Sequence, residues 1–260
     1  MRIATWNLER PQNNTTKRSQ LLGEKIKEIN ADIWVLTETH DAISPGAEYH
    51  PISSEPAPNP PVLHKEGERR TTIWTCYPIK ETIPTNTPDR TVCTDIDTSF
   101  GSLLIYGTII PYHRSGCPPY GTARQWEAHY AAIATQGAEW QRLRRQFPSH
   151  GFCMAGDYNQ NRDGGRWYGT KWGRSLLTLA LGESGLHYVT EEDFIANGTL
   201  PDNGSKGKDG KKLSQRSIDH ISLSNKWAEQ VVKVGAWPGT TESGYQMSDH
   251  SGVFVDLLLD

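Results

Sequence analysis

The sequence predicts an α/β or α+β protein built on mixed β-sheets. Two observations carry the prediction. Strand-like and helix-like segments alternate from Arg2 to Val189, the pattern of a sheet covered by helices. From Ser217 onward, strand-like runs follow one another without a comparable helix between them, which calls for antiparallel pairing as well.

Arg2 to Trp6 reads as a short strand. Leu21, Leu22, Ile26 and Ile29 recur at helical spacing with Lys and Glu on the opposite face, so Thr16 to Asn30 is a helix. Asp32 to Leu36 is an apolar, buried strand that ends at Glu38. Six prolines between residues 44 and 68 mark a surface excursion. Thr71 to Cys76 resumes strand character, and Ser102 to Ile110 is the longest β-like run, stopped by Pro111. A long helix over Ala123 to Arg145 carries Trp126, Tyr130, Ile133, Trp140 and Leu143. Gly151 to Gly156 is a strand, Arg174 to Gly182 a helix and Leu186 to Val189 a strand. Residues 197–215, rich in Gly, Lys, Asp and Asn, read as a mobile loop. Ser217 to Leu223, Gln230 to Val234 and Gly252 to Leu258 complete the strands. No repeat, long linker or low-complexity tail interrupts the chain, so residues 1–260 are expected to form one domain.

Bulk composition narrows the class without choosing a function. The chain is 35% hydrophobic and 22% charged, with nine Trp and ten Tyr available for a sizeable core. Its net charge of −3 removes overall basicity as an argument for nucleic acid, although a local cationic groove can act within an acidic whole. No apolar stretch is long enough for a membrane span, and Met1 to Trp6 runs into a strand without a signal-peptide core. A cytoplasmic location is therefore expected. Cys76, Cys93, Cys117 and Cys153 are widely spaced with no CxxC unit, which argues against structural zinc. Cys153, in the apolar run Phe152 to Ala155, reads as a buried, inert thiol.

The informative features are five short polar clusters, each at the end of an apolar run. They are Trp6-Asn7, Thr37-Glu38, Gly156-Asp157-Tyr158-Asn159, Ile218-Asp219-His220 and Ser248-Asp249-His250. A polar residue at a strand terminus is held by rigid backbone yet faces solvent. Asp157 and Asn159 are two apart, so on extended backbone they project to one side. Asp249 and His250 are adjacent, so both can serve one site only from a turn just before Gly252. Each cluster alone has an ordinary reading: an Asx turn, a strand start, a surface acid. Together they supply hard oxygen ligands for a divalent cation, a carboxamide, and an imidazole with carboxylates in reach.

The order of these clusters resembles the endonuclease/exonuclease/phosphatase superfamily, the group that includes deoxyribonuclease I, and the resemblance runs from Asn7 to His250. It implies a four-layer α/β/β/α sandwich, two mixed β-sheets packed face to face with helices outside. It implies that Asn7, Glu38 and Asp249 hold Mg²⁺, with Mn²⁺ as a substitute. It further implies that Asp157 orients the attacking water, Asn159 contacts the phosphate, and Asp219 fixes the catalytic His250. After the long strand, Ile109-Ile110-Pro111-Tyr112-His113 stands where abasic-site nucleases carry Tyr-x-Pro-Asn. A Pro-x-His there looks instead like the deoxyribonuclease I and sphingomyelinase pattern, which gives His113 a phosphate-contact or leaving-group role. His40 stands where deoxyribonuclease I has a groove-reading arginine, which puts that mode of recognition in doubt.

Arg69 and Arg70 could grip phosphate or be exposed cations without such a task. Trp167, Tyr168 and Trp172 could shape a substrate rim or cover the sheet, and Arg70, Tyr112 and Trp167 are taken as substrate-binding candidates. Arg142, Arg144 and Arg145 end the long helix, where cations complement its dipole. The resulting expectation is a metal-dependent phosphodiesterase acting as a nuclease on DNA or RNA. A phosphomonoesterase, a phospholipid or sphingolipid phosphodiesterase, and a non-catalytic binding module remain alternatives. Whether Asp157 or His250 is the base, and the oligomeric state, stay open.

Overall fold

The computed structural model describes residues 1–56, 65–165, 167–201 and 217–258. The first β-sheet uses β1 (Arg2–Asn7), β2 (Ile33–His40), β3 (His50–Ser53), β4 (Glu68–Thr75), β11 (Val231–Trp237) and β12 (Gly252–Leu257), in the order β11-β12-β1-β2-β4-β3. The second uses β5 (Ile79–Ile83), β6 (Thr91–Thr98), β7 (Gly101–Ile109), β8 (Gly151–Asp157), β9 (Leu186–Tyr188) and β10 (Asp219–Ser224), in the order β5-β6-β7-β8-β10-β9. Only β1 with β2 and β7 with β8 pair in parallel; the other ladders are antiparallel, so both sheets are mixed. The helices are α1 (Lys17–Ile29), α2 (Glu127–Gln146), α3 (Lys171–Glu183) and the single turn α4 (Asn225–Ala228).

Strand alternation sorts the apolar residues into three layers of core. Ile3, Ile33 and Val35 of the first sheet meet Leu103, Ile105, Cys153, Ala155 and Ile221 of the second in the space between the sheets. The alternate residues of β1 and β2, Ala4, Trp6, Trp34 and Leu36, face outward against Leu22 and Ile26 of α1. On the other side Leu104, Tyr106, Phe152 and Met154 face Ile133, Trp140 and Leu143 of α2 and Leu177 and Leu181 of α3. The result is the expected four-layer α/β/β/α sandwich. Helix ends follow local chemistry: the Thr16 side chain caps α1 by accepting from Ser19 N, and Thr170 caps α3 by accepting from Gly173 N.

Several elements depart from the sequence expectation. The Pro-rich excursion contains β3, which pairs with β4 through residues such as Ile52 opposite Ile73. Strand β6 was not anticipated because Asp95 and Asp97 interrupt its apolar pattern. Tertiary packing overrides that signal by burying Val92 and Ile96 between the sheets. Strand β2 continues past Glu38 to His40, with a left-handed φ of 44° at Glu38. Residues 202–215 of the expected mobile loop lie outside the described residues, and so do residues 57–64 of the Pro-rich stretch. Among the described residues, no helix is long and apolar enough to cross a membrane.

The topology brings the polar clusters to one pole. Asn7 and Asp157 end strands β1 and β8; Asp219 begins β10, which runs antiparallel to β8 with Asp219 directly opposite Asp157. The bend at Asp249 and His250 precedes β12, which runs antiparallel to β1.

Candidate active site

Both sheets contribute to a single cavity of about 680 Å³ at this pole, lined among others by Glu38, Asp157, Asn159, Asp249 and His250. Its floor is a hydrogen-bond network across the two sheets. Asn7 Nδ2 donates to Asp157 Oδ2 at 3.1 Å, and Asn7 Oδ1 accepts from Glu9 N at 2.8 Å. Asn159 donates to Asp157 twice, from its backbone N to Oδ1 and from Nδ2 to Oδ2, each at 2.8 Å. This geometry corrects the expectation of an extended Asp157-x-Asn159 segment: Asn159 has a φ of 49°, and a tight turn folds its amide back onto the carboxylate. Gly156 has a φ of 139°, and a Cβ there would stand 1.9 Å from the Thr108 carbonyl oxygen of β7, so only glycine permits this approach to Asp157.

His250 Nδ1 lies 2.8 Å from Oδ2 of the fully buried Asp219. The bend that carries it is fastened from beneath. Trp6 Nε1 donates to His250 O at 3.0 Å, and Ser248 Oγ donates to Asn7 O at 2.6 Å while accepting from His250 N at 3.1 Å. Gly239 makes room for the bend: a Cβ there would fall 2.3 Å from Ser248 O and 2.4 Å from His250 O. Glu38 reaches the cavity from its left-handed position, with Arg10 Nε at 3.2 Å from Oε2. Glu9, Arg10, Glu38 and Asn159 are four of the six described non-glycine residues with positive φ, so backbone strain concentrates at this pole.

The electrostatics raise both titratable partners from their ordinary values. Burial would lower the His250 imidazole, but the Asp219 and Asp157 carboxylates outweigh it and raise its pKa well above the ordinary value. Burial raises the Asp157 carboxyl, against the pull of His250. Asp157, Asp219 and His250 place one ligand atom each within 4.8 Å of one another. Because His250 and Asp219 already engage each other, this trio is better suited to holding a proton than to caging a metal. The oxygen donors left for a cation at the cavity are Glu38, whose Oε2 lies 3.2 Å from Arg10 Nε, and Asp249. Asn7 Oδ1 stands behind them with one lone pair committed to Glu9. A hard cation such as Mg²⁺ needs only one or two carboxylates and keeps several waters. The guanidinium of Arg10 already stands where positive charge meets Glu38, and the donor set therefore fits such an ion.

A family profile described as the Endonuclease/Exonuclease/phosphatase family matches residues 4–250. The chain belongs to this family. No curated protein matches it significantly by sequence. Among solved structures, an AP endonuclease from Archaeoglobus fulgidus superposes with a TM-score of 0.66 at 15% identity, covering 99% of each chain. The endonuclease domain of TRAS1, a telomere-specific non-LTR retrotransposon, gives 0.64 at 16% identity over 99% of this chain and 98% of its own. The 3′ phosphatase NExo from Neisseria, bound to a product DNA hairpin, gives 0.63 at 16% identity over 99% of both. At these identities the likeness is one of fold.

Set in the family frame, Arg70, Tyr112 and Trp167 line the cavity, as do all the acids expected at its floor except Asp219, which is buried behind His250. His113 is not among the lining residues; its Nδ1 lies 3.1 Å from Tyr168 OH, which in turn donates to Asn159 Oδ1 at 3.3 Å. His113 therefore reaches the floor through Tyr168. The Tyr168 phenol is pushed up to about 12, chiefly by burial, and so stays a neutral donor. His40 is not among the cavity-lining residues, and its Nδ1 accepts Ala42 N at 3.0 Å. The sequence names Tyr168 only as a possible rim residue and gives no role to Arg10, Gly239 or Arg90. Arg10 carried a signal, three residues after Asn7; Arg90 carried none, since its approach depends on how the two sheets meet.

Proposed function

We propose that this chain, acting as one domain, is a divalent-metal-dependent phosphodiesterase that cleaves nucleic acid. The observation that carries the reading is the pairing of an Asp219-held His250 with Asp157 across one cavity whose other wall is Glu38 and arginine. Nucleic acid is favoured over other phosphate esters because the structural neighbours include AP endonucleases, a retrotransposon endonuclease and a phosphatase bound to DNA. Glu38 and Asp249, with Asn7 behind them, would hold Mg²⁺, with Mn²⁺ as a substitute. The ion supplies charge neutralisation at the phosphoryl group and the departing oxygen.

The chain's own residues divide the remaining work. Asp157, raised by burial and held by Asn7 and Asn159, accepts a proton from the attacking water and orients it. His250, protonated between carboxylates, donates to a phosphoryl oxygen, and Asp219 fixes its ring through Nδ1 so that Nε2 faces the cavity. The Tyr168 hydroxyl, between His113 Nδ1 and Asn159 Oδ1, steadies the Asn159 amide that in turn bonds Asp157. Burial makes Asp157 a stronger base than an ordinary carboxylate, while the neighbouring carboxylates hold the proton on His250, so one can take and the other give a proton.

A panel decides the reading: single- and double-stranded DNA, RNA, bis(4-nitrophenyl) phosphate and 4-nitrophenyl phosphate, with Mg²⁺, Mn²⁺ or chelator. Diester and nucleic-acid cleavage that needs metal and disappears in His250→Ala supports it. Cleavage of the monoester alone points to a phosphomonoesterase. Silence on every substrate leaves a binding module.

A further inference from the structure

Two arginines fasten α1 to the first sheet, one at each end of β1. At the start of the strand, Arg2 bonds both oxygens of Asp256 in β12, from Nε at 2.7 Å and from Nη2 at 2.9 Å. Its Nη1 donates to Ile29 O, at the end of α1, at 2.7 Å. At the other end, where β1 runs out at the cavity, Arg18 of α1 has a different set of partners. Its Nε donates to Met247 O at 2.6 Å, and its Nη2 donates to Leu8 O at 2.5 Å and to Glu9 O at 3.0 Å. Arg18 itself does not line the cavity.

The peptide groups that Arg18 holds adjoin the cation donors. Leu8 follows Asn7, and Met247 stands two residues before Asp249. Leu8 N donates to Thr37 O at 2.9 Å and Arg10 N to Glu38 O at 2.8 Å, so the segment from Leu8 to Arg10 also sets where Glu38 lies. Within that segment Glu9 and Arg10 have φ of 53° and 54°. Two successive left-handed residues that are not glycine persist only where their surroundings hold them. Arg18 supplies that hold at the Leu8 and Glu9 carbonyls.

The same guanidinium reaches across to the bend that carries Asp249 and His250. Ser248 Oγ on Asn7 O and Trp6 Nε1 on His250 O also join the two segments, each through a single donor atom. Arg18 spans them with two nitrogens fixed in one plane, which sets a distance and an angle together. A lysine ammonium, a point charge on a flexible stem, cannot reproduce that fork. We propose that Arg18 is a positioning residue of the active site. Through Leu8 O, Glu9 O and Met247 O it sets the separation of Asn7 and Glu38 from Asp249 and His250, without touching ion or substrate. This rests on the metal-dependent reading above, whose donors and imidazole are the groups aligned.

The test compares Arg18→Lys and Arg18→Gly with Arg2→Gln, which loosens the same helix and sheet at the end away from the cavity. Three quantities are measured for each: the melting temperature, Mg²⁺ affinity by calorimetry without substrate, and kcat and KM on bis(4-nitrophenyl) phosphate. Both Arg18 variants are expected to lose about tenfold in Mg²⁺ affinity and in kcat, with KM within about twofold, as when a residue that orients metal ligands is removed. Guanidinium ion, kept well below denaturing concentrations, should restore part of kcat in Arg18→Gly and none in Arg18→Lys, whose ammonium blocks the site. Arg2→Gln should melt earlier with Mg²⁺ affinity and kcat unchanged. Should Arg18→Gly not fold, Arg18→Lys carries the same comparison. An Arg18→Lys protein with wild-type Mg²⁺ affinity and kcat overturns the proposal. So do Arg18 and Arg2 variants that lose both quantities in proportion to their melting temperatures, which would make Arg18 a tie for α1 alone. Wild-type protein that binds Mg²⁺ but cleaves no diester overturns the nuclease reading, and the Mg²⁺ affinities then still decide the role of Arg18. Wild-type protein that binds no Mg²⁺ overturns both.

Discussion

The floor and the rim of the cavity are held by different means. The floor sits on strand ends: Asn7, Asp157 and Asp219 are fixed by the ladders of β1, β8 and β10, and their polar atoms bond mainly to one another. The rim is made of turns and long side chains: Arg10 after β1, Arg90 before β6, and Trp167 and Tyr168 between β8 and α3. The difference shows where rigidity is placed. Chemistry that moves a proton needs atoms fixed to a fraction of an ångström, and sheets supply this. Recognition tolerates longer reach, and turns supply that once they are anchored, as Glu139 anchors the turn of Arg90.

The largest effects should fall on the floor. His250→Ala and Asp157→Asn are each expected to lower turnover roughly a hundredfold or more, since each removes a proton-transfer partner. Circular dichroism and melting curves should remain close to wild type. Near-normal rates in a folded His250→Ala protein would place the chemistry elsewhere.

The joint between floor and rim can be read by pH. His220, next to Asp219, is fully enclosed; its Nε2 lies 3.1 Å from Gln160 O at the root of the rim segment, and its Nδ1 lies against Thr190. Burial lowers its pKa from 6.5 to about 4, against carbonyl contacts that raise it. The unfolded chain takes up this proton first as pH falls. The histidine thus leaves stability unchanged above its unfolded value and withdraws it between pH 6.5 and about 4. The withdrawal amounts to at most about 3 kcal/mol. Denaturant unfolding across that range should show a smaller pH slope in His220→Gln; an unchanged slope would remove His220 from the account.

Smaller effects test the supports. Gly239→Ala should displace the bend of Ser248 to His250, because both contacts of the new Cβ are backbone oxygens. About 1–3 kcal/mol of stability and about tenfold in kcat are expected to be lost, measured by unfolding and by diester hydrolysis. Tyr168→Phe removes the hydroxyl between His113 and Asn159 and should cost about fivefold in kcat/KM, the size of one hydrogen bond, with little change in Tm. If Tyr168→Phe matched His250→Ala in effect, the division between floor and rim would be wrong.

The floor was legible in the sequence and the rim mostly was not. Asn7, Glu38 and Asp157 each follow an apolar run that has to become a buried strand, and His250 precedes one, so their placement near strand ends follows from local pattern. Arg70 and Trp167 could be named as candidates but not aimed. Arg90 was invisible, because β6 itself was hidden by Asp95 and Asp97, whose polarity local pattern cannot reconcile with burial. His113 could be placed near the site, but that it stands behind Tyr168 depends on a segment 55 residues away in sequence.

The sequence by itself determined most of the strands and helices, and which polar residues end them, because those properties depend on side-chain periodicity and on neighbours within a few residues. Only the tertiary structure decided that Asn7 would grip Asp157, that Asp219 would hold His250, and that Asp89 would serve two arginines. Those contacts join the two sheets or distant segments of one, and the register that brings them together is set by how both apolar faces pack.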